Sequence, residues 1–168
     1  FIRRYNSDLA NDYGNLLNRV NGLITKHFDG LIPKPGFPSD KEIKIKEDAL
    51  LLASTTVDAL VEQFKINEAI IHIINLIRQT NKYLEHEAPW KVVKEDKDRA
   101  GTILYTAAEV LRICSLLLSP VMPTKTQSVL NSLGVCDRDA ETWGSSLIPG
   151  TKLELPGALF PRIEIEKK

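Results

Sequence analysis

Cysteine is nearly absent. The two present, Cys114 and Cys136, lie far apart with no Cys or His at ligand spacing, so neither a zinc site nor a disulfide framework is implied. Excess charge is absent too: 22 Lys and Arg balance 22 Asp and Glu. That counts against a generic polyphosphate binder, which carries a basic excess. It leaves open recognition of a single-stranded loop, where stacking and base-edge hydrogen bonds carry the work. No Gly-x-Ser-x-Gly, no His-Glu-x-x-His and no glycine-rich phosphate loop occurs, so no motif supports an autonomous enzyme. No signal-peptide pattern or uninterrupted membrane-length apolar run stands out. The chain opens on Phe1 rather than Met, already in helical pattern, which makes a piece of a longer protein the expectation.

What is present fits one globular domain. Hydrophobic residues make up 43% and charged residues 26% of 168, enough for a full core and too apolar for disorder. Residues 1–28 read as an amphipathic helix, with Ile2, Tyr5, Leu9, Tyr13, Leu16, Leu17, Val20, Leu23, Ile24, His27 and Phe28 at three-to-four spacing. Its other face carries Asn6, Asn11, Asn15, Asn18 and Asn21. Asparagine is a mediocre helix former, and a merely solvated face would favour Glu, Lys and Gln.

Ser39-Asp40-Lys41-Glu42 has capping-box form and opens a second helix over about 40–65, with Ile43, Leu50, Ala53, Val57, Leu60, Val61 and Phe64 inward. Ile66-Asn67-Glu68 reads as a break with Asn67 as cap. A third helix, about 68–87, is rich in isoleucine and should be largely buried, with one polar stripe of His72, Asn75, Gln79, Lys82 and His86. A fourth, about 98–119, includes Cys114 on its apolar face and stops at Ser119-Pro120. A short fifth starts at Pro123 or Thr124 and ends at Gly134. Alternation in Leu153-Glu154-Leu155 and Arg162-Ile163-Glu164-Ile165-Glu166 predicts an extended tail. The expected fold is therefore all-α: an antiparallel bundle of four long helices plus one short helix, with an extended C-terminal tail. Residues 1–134 would form the bundle and 135–168 the tail, lying on the bundle or against a neighbouring domain.

The strongest constellation is Asn15, Arg19 and Trp90. An Asn amide donates and accepts at once, which suits the edge of an unpaired base, and Arg offers a planar fork. Trp90 follows Pro89, which limits continuation of the third helix and biases Ala88 away from helical geometry. A ring placed there either plugs the core or offers a stacking face, and residue chemistry alone favours the plug, with Arg19 as half of an ordinary ion pair. His72 and His86 read as polar surface groups.

The run Tyr5 to Arg19, with Gly14-Asn15-Leu16-Leu17-Asn18-Arg19 at its end, resembles the first helix of the anticodon-binding domain of methionyl-tRNA synthetases. Asn81-Lys82-Tyr83 through Ala88-Pro89-Trp90 is similar to that family's helix-end motif, and Leu118-Ser119-Pro120-Val121-Met122-Pro123 to the close of its fourth helix. Trp143-Gly144 and Leu159-Phe160-Pro161-Arg162-Ile163 resemble its tail. The resemblance implies that Asn15 and Arg19 hydrogen-bond anticodon bases and that Trp90 stacks on the first, the cytosine of CAU, with Asn11 and Pro89 as weaker candidates. The implied partners are the tRNA(Met) anticodon loop and the catalytic domain of the same parent chain, with no membrane and a cytoplasmic setting. ATP with Mg would act in the parent's catalytic domain, whose HIGH-type and KMSKS-type motifs are not in these residues, so no cofactor is expected here. Two alternatives stay open: a helical protein-interaction or scaffold domain, and the anticodon domain of another class I synthetase.

Overall fold

The computed structural model describes residues 5–157 and 159–161. The first helix, α1, winds as a π-helix over Tyr5–Gly14 and continues as an α-helix over Asn15–His27, with Gly14 itself in helical conformation. Helix α2 begins as Asp40–Leu51, passes through a π-helical stretch Leu52–Thr56 and ends as Val57–Glu62. Helix α3 is Ile66–Glu87, the single turn α4 is Pro89–Val92, α5 is Lys97–Leu118 and α6 is Pro123–Ser132. Four long helices and a short final one match the expected bundle; the turn at Pro89 is an addition. The expectations on Ile2 and on the 162–166 alternation lie outside the described residues.

The long helices alternate in direction. Tyr13 bonds Ser115 while Phe28 lies under the Lys97 ammonium, so α1 and α5 are antiparallel. Tyr83 bonds Glu42 and Gln79 bonds Asp48, which sets α2 against α3 in the same way. Helix α5 is the axis. It is long and apolar enough to cross a membrane, with a mean hydropathy of 1.5 over the most apolar window, yet 94% of that window is buried inside the bundle. Its apolar run is interrupted by Glu109 and Arg112, and its burial makes α5 a core helix. Cys114 lies in its buried face, as expected.

Three phases differ from the pattern read in the sequence. In α2 the buried stripe is Glu42, Ile45, Ala49, Leu52, Ala53 and Val57, while Ile43, Val61 and Phe64 are exposed. Glu42 is drawn inward by hydrogen bonds to Arg99 and Tyr83, and its neighbour Ile43 is thereby turned about 100° away. The wider π-helical turns then shift the phase again before Val57. The break between α2 and α3 is at residues 63–65, not at Ile66–Glu68. Phe64 takes a left-handed conformation (φ 60) and closes α2 with paired bonds, Phe64 N–H to Val61 and Lys65 N–H to Leu60. Ile66 is already helical, so Asn67 is no cap. Helix α3 is buried through Ile73, Ile74, Leu76, Ile77 and Leu84, but Ile71 is exposed; the polar stripe is exposed as expected.

The tail is extended over the bundle. Leu31 and Lys152 form an isolated antiparallel bridge, flanked by Ile32 N–H to Thr151 (2.9 Å) and Leu153 N–H to Gly30 (2.7 Å). Leu147, Leu153, Leu159 and Phe160 are buried in the common core, whereas Leu155 faces out. Gly134 ends α6 at φ +68, where a Cβ would lie 2.5 Å from Thr151 Cγ2.

Candidate nucleic-acid interface

Asn15 and Arg19 stand one turn apart on the α-helical part of α1. Leu16, Leu17 and Val20 are buried on the opposite side and turn this face outward. Asn11, Asn15 and Asn18 line one shallow depression of ≈ 380 Å³ together with Ala10 and Phe160. The asparagines do not behave alike: Asn11 and Asn18 are exposed, Asn15 is half-buried, and Asn21 is buried and belongs to the interior. Phe160 is a wall that sequence reading missed. It comes from the tail, packs 5.6 Å from the Tyr13 ring, and sits under Lys125, whose ammonium also bonds the Leu159 carbonyl at 2.7 Å.

Arg19 is tethered across helices. Its Nη2 donates to Glu85 Oε1 at 3.2 Å, and its side chain is 31% exposed. Its Nη1 is buried and has no partner among the described residues. A buried donor without an acceptor is costly, so this guanidinium is held by one nitrogen with another still to be satisfied. Glu85 was not singled out by the sequence; its place in the last turn of α3, five residues before Trp90, was the available signal.

The end of α3 is locked from three sides. Arg99 donates to Glu42 through Nη1 and Nη2 (2.9 and 2.8 Å) and to Glu87 Oε2 (3.2 Å), while Lys41 Nζ reaches Glu87 Oε1 at 2.5 Å. The Tyr83 hydroxyl donates to Glu42, and the capping box completes the cluster through Ser39 N–H to Glu42 Oε2 at 2.5 Å. Burial pushes the Glu42 carboxyl up, but the bonds from Arg99, Ser39 and Tyr83 outweigh it and leave it at about 2. The same burial, with the Glu42 charge beside it, pushes the Tyr83 phenol well above its ordinary value.

From this fixed end the chain turns sharply. Ala88 is left-handed (φ 47, ψ 60), an arrangement that costs a non-glycine residue about 1–2 kcal/mol. Its N–H still bonds Leu84, and its carbonyl accepts from Lys91 and Val92. Pro89 opens α4 and is buried; Trp90 follows and is 37% exposed. The core-plug reading favoured by residue chemistry is therefore wrong for this tryptophan. Helix α4 packs on α5, while Arg19 reaches the last turn of α3 through Glu85. Glu85 lies in the last turn of α3 and Trp90 three residues beyond its end at Glu87. Among the described residues, no group of three His, Cys, Asp or Glu is placed to hold a metal ion.

The family described as the anticodon binding domain of methionyl tRNA ligase matches residues 32–168. The chain belongs to this family. Pro89 and Trp90 lie inside the matched region; Asn11, Asn15 and Arg19 precede it, and whole-chain relatives extend over them. The methionine–tRNA ligase of Caldanaerobacter subterraneus subsp. tengcongensis is 39% identical over 99% of this chain and 27% of its own length. That of Clostridium tetani is 40% identical over 100% of this chain and likewise 27% of its own length. The free-state crystal structure of Mycobacterium tuberculosis methionyl-tRNA synthetase superposes with a TM-score of 0.90 at 32% identity, covering 98% of this chain and 34% of that one. The chain thus spans about a quarter of the length of the ligases it matches. As an anticodon-binding domain of the methionyl-tRNA ligase family, it carries a helical bundle of the same shape at comparable helix placement.

Proposed function

We propose that this chain reads the anticodon loop of tRNA(Met) as the recognition module of a methionine–tRNA ligase. Asn15 and Arg19 hydrogen-bond anticodon bases, with Asn11 adding to the same face. Trp90 stacks on the first base, the cytosine of CAU, and Pro89 sets its position. The observation that carries this reading is the partial exposure of Trp90 on a turn that strains Ala88. A ring kept out of the core by a strained backbone is suited to a contact beyond the chain. The unsatisfied Arg19 Nη1 supports the same reading, because a base edge or phosphate supplies the missing acceptor.

Residues 1–134 act as the recognition bundle, and 135–168 as a tail packed on it or on the catalytic domain of the same parent chain, the second partner. The parent attaches methionine to tRNA in the cytoplasm, using ATP with Mg in a part of the protein outside these residues. The test is binding of a CAU stem-loop against one with the first base changed, in the intact protein. Wild type should prefer CAU, and Trp90→Ala should lose about 1–3 kcal/mol of affinity, the worth of one base–aromatic stack. Equal binding of both loops, or an unaffected Trp90→Ala, would sink the proposal.

A further inference from the structure

The asparagine face of α1 straddles a change of winding: Asn11 lies in the π-helical segment and Asn15 opens the α-helical one. Where closure passes from i→i+5 to i→i+4 the backbone ladder changes register, and contacts from a neighbouring helix can hold that change in place. Asn81 on α3 donates to the Asp12 carbonyl at 3.0 Å, between those two asparagines. Three residues earlier, Arg78 grips the same segment. Its Nε donates to Asp12 Oδ2 at 2.7 Å and its Nη2 to Asp8 Oδ1 at 2.6 Å, with a longer bond from Nη1 to Asn75 Oδ1 at 3.5 Å. Gly14 completes the fit, since a Cβ there would come within 3.2 Å of the Leu9 carbonyl oxygen, five residues back.

We infer that Asn81 and Arg78 are positioning residues that hold this change of winding in α1 and so fix the angle between Asn11 and the Asn15–Arg19 pair. Arg78 is substantially exposed, and pairs of that kind add little to global stability. Its two carboxylate partners both sit on the π-helical segment, so its action is local. Asn81 keeps its Oδ1 buried with no partner among the described residues, while its amide serves the main chain of α1. The Asn81-Lys82-Tyr83 run thereby divides its labour: Asn81 sets α1, Lys82 is solvated, and Tyr83 joins the Glu42 cluster.

The inference rests on the anticodon reading for its consequence and not for its mechanics, and the experiment separates them. In the intact protein, Asn81→Asp removes the donor isosterically and Arg78→Gln removes the grip; Asn81→Ala serves if the carboxylate variant does not fold. Amide hydrogen exchange should speed up in residues 5–16 while α5 stays protected. CAU stem-loop binding should weaken about tenfold. That loss should vanish in an Asn15→Ala/Arg19→Ala background and persist in Trp90→Ala, because it acts through the first pair alone. Unchanged exchange in 5–16 overturns the inference whatever the RNA does. Changed exchange with wild-type binding, or a loss that is additive with Asn15→Ala/Arg19→Ala, overturns the positioning role. Wild-type protein that does not distinguish CAU overturns the anticodon reading, and the exchange result then decides the winding role by itself.

Discussion

Two arginines on neighbouring helices show opposite uses of the same side chain. Arg112, in the middle of α5, is fully buried and fully spent. It bonds both oxygens of Glu109 (3.1 and 3.0 Å) and the carbonyls of Asp139 and Thr142 (2.5 Å each). Glu109 in turn accepts from the Gly144 N–H at 3.3 Å. This pair pins the loop that begins the tail. Arg19 lies on an open face, holds a single carboxylate and keeps one buried nitrogen unsatisfied. Saturation separates the two: every nitrogen of Arg112 that the bonds above name is spent on the fold, whereas Arg19 keeps one without a partner among the described residues. Arg99 stands between them: bidentate on Glu42 and bonded to Glu87, partly exposed, it belongs to the framework that holds the end of α3.

The comparison breaks first at Arg112. Arg112→Met leaves Glu109 charged in the core, and the expected loss is about 3–5 kcal/mol of unfolding free energy, read as a lower denaturant midpoint. Pairing it with Glu109→Leu should recover much of that loss; a single variant of wild-type stability would refute the framework role. Next comes acid. The Glu42 carboxyl is held at about 2 against an ordinary value of 4.5, so its contribution is complete above 4.5 and fades as pH falls toward 2. Thermal midpoints between pH 5 and 2 should fall in wild type and fall less steeply in Glu42→Gln; parallel curves would show that the cluster is not the acid-sensitive element. The smallest effect belongs to Glu85→Gln. Loss of an exposed pair should change stability by at most about 1 kcal/mol, while Arg19→Ala, equally mild for stability, weakens CAU binding. A large stability loss in either would make Arg19 another framework arginine.

Much of the fold was legible from spacing and punctuation. The capping box at Ser39–Glu42, the stop at Pro89, the turn at Ser119-Pro120 and the glycine end at Gly134 are local, because a proline ring, a hydroxyl or a missing Cβ acts on the backbone within one turn. The candidate site was legible as a set of residue types and, more sharply, by resemblance to a family. The phase of α2 was not, because a buried Glu42 and a π-helical stretch overrode the apolar count. Phe64 in a left-handed cap, 92% exposed, runs against both its propensity and its hydrophobicity.

By itself the sequence determined where the long helices run, where most of them end, and that an asparagine-rich face and a tryptophan after a proline stand apart from the apolar pattern. Tertiary structure alone decided that Trp90 is not in the core, that Glu85 holds Arg19, that Phe160 from the tail walls the asparagine depression, and that Arg112 is buried. The reason is range. Backbone stops and caps act through neighbours along the chain, whereas exposure and pairing across helices depend on residues far apart in sequence, 66 positions for Arg19 and Glu85, which only packing brings together.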